Sequence, residues 1–219
     1  MQRRVTQEIL DSPDCPPEEV AASLGDLSRI NRWFGGVATT RTLIEQVAAA
    51  TGKKHFSMLE VAAGFGEVPR VAAQQLARQG ITLDLTLLDR LPSHLRPGNR
   101  SVVGDALALP FPDGAFDLVS SSLFVHHLEP EDVRRFVVEA LRVCRTAVLI
   151  NDLVRHPLHL ALVYAGFPLM RSYVSRVDGV RSVRRAHTPG EMRAMLAGAS
   201  GKVEISRHYL FRMGVVVWK

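Results

Sequence analysis

The chain has 219 residues, enough for one domain, or one domain with a small helical appendage, around a full core. Hydrophobic residues make up 47% and charged residues 22%, the ordinary balance of a soluble globular protein, and no apolar run reaches the length of a membrane span. The net charge is +5, but the arginines are mostly scattered and no aromatic platform accompanies them, which disfavours nucleic acid as a partner.

In chain order, residues 1–53 read as an N-terminal helical cap. Leu24, Leu27, Ile30 and Phe34 recur at helical spacing, as do Leu43, Ile44 and Val47, with Gly35-Gly36 between the two groups. DCPPEEV places Pro near a helix start and acids in the first turn. From about 55 to 152, short apolar strands alternate with helices: FSMLEV, then EVPRVAAQQLARQG as a helix, ITLDLTLLD, RSVVGD, FDLVSSSLFV, a helix from Glu129 to Val143, and RTAVLIND. Strict alternation predicts right-handed crossovers and a doubly wound, Rossmann-like, mostly parallel α/β sheet. Residues 157–186 form an apolar, lid-like insertion carrying Arg171, Arg176, Arg181, Arg184 and Arg185. Thr188-Pro189-Gly190-Glu191 is a capping box that opens another helix. KVEISRHYLFRMGVVVWK supplies two further strands, expected to turn near Arg212 to Gly214 and to complete a seven-stranded sheet with an antiparallel C-terminal strand. The domain proper is expected over 54–219.

Glu60-Val61-Ala62-Ala63-Gly64-Phe65-Gly66 lies where the first strand hands over to a helix, the ligand-binding position of doubly wound folds. Glycines there let backbone approach a ligand. A dinucleotide fingerprint requires a further glycine where Pro69 stands, and the Lys-Ser/Thr of a phosphate loop is missing. Glu60 at the strand end is wrong for phosphate and suits a ligand with a positive amine. Asp89 ends the second strand, where a carboxylate takes ribose hydroxyls, and Asp105 ends the third, placed to accept from an adenine amino group. Acids at three successive strand ends face one crevice.

With these motifs the chain resembles the class I S-adenosylmethionine (SAM)-dependent methyltransferases over residues 55–152. MLEVAAGFG is similar to the family's first motif, with Ala62 where glycine is commoner, and LLDR to its ribose-binding acidic motif. GDALALPFPDGAFDLVSSSLFVHHL is similar to its adenine-side turn and fourth strand. The resemblance implies SAM as cofactor and S-adenosylhomocysteine as product. It implies Glu60, Ala62, Gly64, Phe65 and Gly66 at the methionine end, Asp89 and Arg90 at the ribose, Asp105 and Ala106 at the adenine, and Ser121 on the fourth strand. LSRINRWFGG and NDLVRHPLH resemble bacterial enzymes of polyketide or quinone-like secondary metabolism.

The implied reaction is in-line methyl transfer to an O or C atom of a small, aromatic or apolar acceptor. A phenol or enol must also lose a proton, and the candidate catalytic residues are His126, His127, Asp152 and His156, with His127 or His156 favoured as base. No metal is expected. A nucleic-acid methyltransferase is the alternative enzyme, disfavoured because SSSLFVHH stands where an Asn/Asp-Pro-Pro-aromatic signature belongs. A non-catalytic SAM-binding regulator or partner subunit is the other alternative. The apolar insertion suits a pocket, core packing or a homodimer contact equally well. Cys15 and Cys144 are too far apart in sequence for a metal-ligand motif and read as reduced thiols. With no apolar h-region at the N-terminus, the expected location is cytoplasmic.

Overall fold

The computed structural model describes residues 1–12, 14–95 and 100–219. Seven strands form one sheet in the order β3-β2-β1-β4-β5-β7-β6. They are β1 (His55–Val61), β2 (Thr82–Asp89), β3 (Ser101–Val103), β4 (Phe116–Ser122), β5 (Cys144–Leu153), β6 (Val203–His208) and β7 (Arg212–Trp218). The pairs among β1 to β5 are parallel, while β7 runs antiparallel to both β5 and β6. The expected mostly parallel sheet with an antiparallel C-terminal edge is therefore observed.

Among the described residues seven α-helices accompany the strands: α1 (Pro17–Trp33), α2 (Gly36–Thr51), α3 (Glu67–Ala77), α4 (Pro130–Val143), α5 (Pro157–Ala165), α6 (Tyr173–Arg185) and α7 (Pro189–Leu196). Because successive strand residues point to opposite faces, one sheet supplies two cores. Met58, Leu118, Leu149 and Val216 pack with Leu43, Ile44 and Val47 of α2 and Leu76 of α3. Their neighbours Leu59, Val119, Ile150 and Val215 pack with Phe136 of α4 and Met192 of α7. Both faces are covered, as a parallel sheet requires. No helix among the described residues is long and apolar enough to cross a membrane.

Three local expectations are corrected. Residues 1–12 and 14–16 hold no helix, and the first helix begins at Pro17. Pro16 stands before that proline with ψ 135°, because the ring of a following proline disfavours helical backbone. The fourth strand stops at Ser122, since Leu123 takes φ 58° and Val125–His127 form a 3-10 turn. The final hairpin turns at Leu210 and Phe211, with φ 48° and 63°, and not at Gly214. Gly214 lies inside β7, where a side chain would meet the His208 ring and Leu43. The predicted capping box is present: Glu191 N–H donates to Thr188 Oγ1 at 3.2 Å and Thr188 N–H to Glu191 Oε2 at 2.7 Å.

Residues 1–12 run across the carboxyl ends of the strands and are tied to α6. Ile9 and Leu10 N–H donate to the two oxygens of Asp178, each at 2.9 Å. The insertion is tied in turn to α1, where buried Asp26 accepts Arg171 N–H at 2.8 Å and Ser172 N–H at 2.9 Å. Together these segments roof the sheet. The arginines of α6 are used internally: Arg176 donates to Met170 O, Arg181 to Asp178 and Arg185 to His127 O.

Candidate active site

Under this roof lies a cavity of about 760 Å³, toward the upper end of the range for small-molecule sites. One end is formed by the loop after β1. Ala62, Gly64 and Gly66 take φ of 54°, 51° and 66°, so the chain folds back on itself within a few residues. Ala62 thus occupies left-handed backbone at a cost of order 1 kcal/mol, which explains why glycine is the easier residue there. Ala63 N–H donates to Leu88 O at 3.0 Å, and Gly64 N–H to Asp89 Oδ2 at 2.9 Å, fastening the loop to the end of β2. Asp89 Oδ1 accepts Leu91 N–H at 3.1 Å.

Glu60 sits at the floor of this end, 1% exposed, and its Oε2 has no hydrogen-bond partner. Burial pushes its carboxyl up to about 7, against the opposing pull of the Ser120 and Ser122 hydroxyls. A buried acid with an unpaired oxygen facing a cavity is poised to receive a cationic donor. Asp89, Arg90, Asp105 and Ala106 continue the same wall. Asp105 is exposed and accepts Leu107 N–H at 2.9 Å, making a tight turn after β3. The three acids therefore do share one cavity. These groups fit a ligand with an ammonium at one end, a ribose diol in the middle and an aminated base at the other.

Two expected cofactor residues fall elsewhere. Ser121 is buried but off the cavity wall, where Ser122 stands in its place. Side chains alternate along β4, so Ser120 and Ser122 share the Glu60 side and Ser121 faces away. Gly66 also lies off the wall; it opens α3, and a Cβ there would run into the Leu87 side chain. Phe65 remains on the wall.

The other end of the cavity gathers the histidines. His126 is buried, its Nδ1–H donating to Asp152 Oδ1 at 2.6 Å while its Nε2 lies 3.5 Å from Glu8 Oε1. Burial alone would lower its pKa, but Asp152 and Glu8 outweigh burial and hold it up at about 10. His126 is thus a charged clamp between two carboxylates and a poor proton acceptor near neutrality. Asp152 stands behind it, off the cavity wall. His127 lines the cavity, with Nδ1 2.8 Å from Asp11 Oδ2 and Nε2 3.7 Å from Glu8 Oε2. Glu8, His126 and His127 each bring one potential ligand atom within 4.8 Å of the others, a convergence from distant sequence positions that linear spacing does not reveal.

His156 is not brought to the site. It is exposed, its Nδ1 accepts Leu158 N–H at 3.2 Å as the N-cap of α5, and its ring stacks on Phe211 at 4.9 Å. His159, one turn further on, lines the cavity instead. Its Nδ1–H donates to Val154 O at 2.9 Å, and burial, with the nearby Arg212 charge, lowers its pKa. Residues not singled out by the sequence also reach the wall: Glu8, Asp11, His159 and Arg212.

Residues 59–150 match the methyltransferase domain family. The chain is 29% identical over 153 residues to a demethylmenaquinone methyltransferase of Renibacterium salmoninarum, covering 61% of this chain and 57% of that one. It is 36% identical over 135 residues to a "Probable tocopherol O-methyltransferase, chloroplastic" of Oryza sativa subsp. japonica, covering 56% of this chain and 34% of that one. The matched stretch thus spans about half or less of these relatives' lengths. Among solved structures, the plantazolicin methyltransferase BpumL in complex with SAH superposes with a TM-score of 0.69 at 12% identity, covering 96% of this chain and 92% of that one. At that identity the likeness is one of fold.

Proposed function

We propose that the chain is a class I SAM-dependent methyltransferase that transfers a methyl group from SAM to an oxygen or carbon atom of a small, apolar or aromatic acceptor, a reading supported by the methyltransferase-domain match over residues 59–150. The observation that carries this reading is the pairing, in one cavity, of three strand-end acids with a histidine–carboxylate cluster at the opposite end. Glu60 is placed for the amine of the methionine moiety, Asp89 for the ribose hydroxyls, and Asp105 with Ala106 for the adenine. When bound, SAM supplies a methyl on a sulfonium, already a good leaving group.

The protein's part is therefore alignment, exclusion of water and disposal of a proton. The roof over the strand ends is placed to limit the access of water. His127 takes the proton of a phenolic or enolic acceptor: Asp11 fixes its Nδ1 as the protonated nitrogen, leaving Nε2, 3.7 Å from Glu8 Oε2, as the accepting nitrogen. His126 cannot share this work while Asp152 and Glu8 hold its proton; it positions Glu8 and the turn that carries His127. The relatives' printed acceptors, a demethylmenaquinone and a tocopherol, support an oxygenated ring compound.

The test is turnover with SAM across a panel of phenols, quinols and polyketides, read as S-adenosylhomocysteine formed. His127→Ala should lower turnover by about 10²–10⁴-fold while leaving cofactor affinity nearly unchanged. Equal activity of His127→Ala removes the base assignment, and cofactor binding without turnover on any acceptor refutes the enzymatic reading.

A further inference from the structure

We propose that Arg212, at the start of β7, forms a subsite for an anionic oxygen of the methyl acceptor, so that the acceptor is an apolar ring compound bearing a carboxylate, phenolate or enolate. This rests on the methyl-transfer reading for the word acceptor, and on geometry for the site itself. Arg212 is 3% exposed, lines the cavity, and its Nη1 has no hydrogen-bond partner. A buried guanidinium nitrogen with unmet donors is costly and is ordinarily satisfied by a carboxylate or another oxygen.

The side chain is held in place by a built scaffold. Its Nη2 donates to Asn31 Oδ1 at 2.6 Å, and buried Asn31 packs against Gly36, where any Cβ would collide with it. The Gly36 carbonyl is in turn held by Asn151 Nδ2 at 2.8 Å. One guanidinium nitrogen is thus held by Asn31 of α1, while Nη1 of this cavity-lining residue stays buried without a partner. Nearby protein groups leave the demand open. Leu153, the register partner of Arg212 on β5, and Leu210 on the hairpin turn are apolar members of the cavity wall. Burial, with the Arg212 charge itself, lowers the His159 pKa, so no anion is offered there. Asp152 is the one acid whose charge reaches Arg212, and its two oxygens already accept the ring and backbone N–H of His126.

The cofactor's own carboxylate carries the same chemistry, and position argues against it. Glu60, which takes the amine, is on β1, and Arg212 is on β7, three strands away in the sheet. At about 4.8 Å per strand this is about 14 Å, whereas the carboxylate and amine of a methionine moiety share one carbon. The β7 end is the acceptor's end.

The probes are benzoate and 2-naphthoate with their neutral amides, titrated calorimetrically into the protein saturated with S-adenosylhomocysteine. The wild type should prefer each carboxylate over its amide by about tenfold or more. Arg212→Met should abolish the preference and leave S-adenosylhomocysteine affinity within about twofold. Asn31→Asp, which changes no volume and gives Arg212 an internal anion, should abolish it as well and guards against misfolding of the first variant. Equal or undetectable binding of carboxylate and amide by the wild type, or a preference retained in both variants, overturns the proposal. A folded Arg212→Met that loses S-adenosylhomocysteine instead assigns Arg212 to the cofactor and overturns it too. If the wild type binds no S-adenosylhomocysteine the methyl-transfer reading fails separately, and the same titrations without it still decide whether Arg212 holds an anion.

Discussion

Glu60 offers a test in which stability and ligand binding move in opposite directions. Its folded-state pKa stands at about 7 against an ordinary 4.5, because burial disfavours the charged form. Between those values the folded chain keeps a proton that the unfolded chain releases, so the free energy of unfolding falls as pH rises through the window. The shift of about 2.5 units corresponds to roughly 3 kcal/mol in all, at about 1.4 kcal/mol per pH unit, levelling off about one pH unit above the folded pKa. Glu60→Gln cannot titrate and keeps the shape. Its stability relative to wild type should therefore climb by roughly 3 kcal/mol from pH 4.5 to pH 7.5, every other titrating group cancelling in the difference. Urea unfolding of both proteins at several pH values measures this. The same variant should bind S-adenosylhomocysteine about tenfold more weakly, since an amide answers an ammonium less well than a carboxylate does. Parallel pH profiles for the two proteins would refute the reasoning about Glu60.

Asp89→Ala should weaken S-adenosylhomocysteine binding by about 1–3 kcal/mol, through loss of hydrogen bonds to the ribose and of the anchor for Gly64 N–H; unchanged affinity by calorimetry would remove Asp89 from the site. Gly66→Ala should cost about 1–3 kcal/mol of stability in urea unfolding, because φ 66° disfavours a side chain and the new methyl meets Leu87. A silent Gly66→Ala would show that the turn relaxes freely.

The sheet and the cofactor end were legible because their signals are local. Strand periods recur over residues 55–152 with helices after β1 and β4, although β2, β3 and β4 follow one another without an α-helix, and each acid stands at or just past the strand end where the fold uses it. Ser121 shows where period alone runs out. All of Leu118 to Ser121 are buried, both faces of the strand are covered, and nothing in the sequence says which serine faces Glu60. His156 was misplaced for a readable reason. A residue directly before proline at a helix start is an N-cap, and its ring is spent there, whereas His159 one turn later faces the cavity. The acceptor end was illegible for a different reason. Glu8, Asp11 and Arg212 come from both termini and meet only because residues 1–12 cross the strand ends and β7 inserts beside β5. Such long-range convergence leaves no spacing in the sequence. The turn at Leu210 and Phe211 was hidden for a related reason: neither is a residue ordinarily chosen for positive φ.

The central claim is the cofactor site, and calorimetric titration of the purified protein with SAM and with S-adenosylhomocysteine tests it most directly. Binding of both at micromolar affinity, one per chain and weakened by Asp89→Ala, is the predicted result. A folded protein that binds neither would contradict the account.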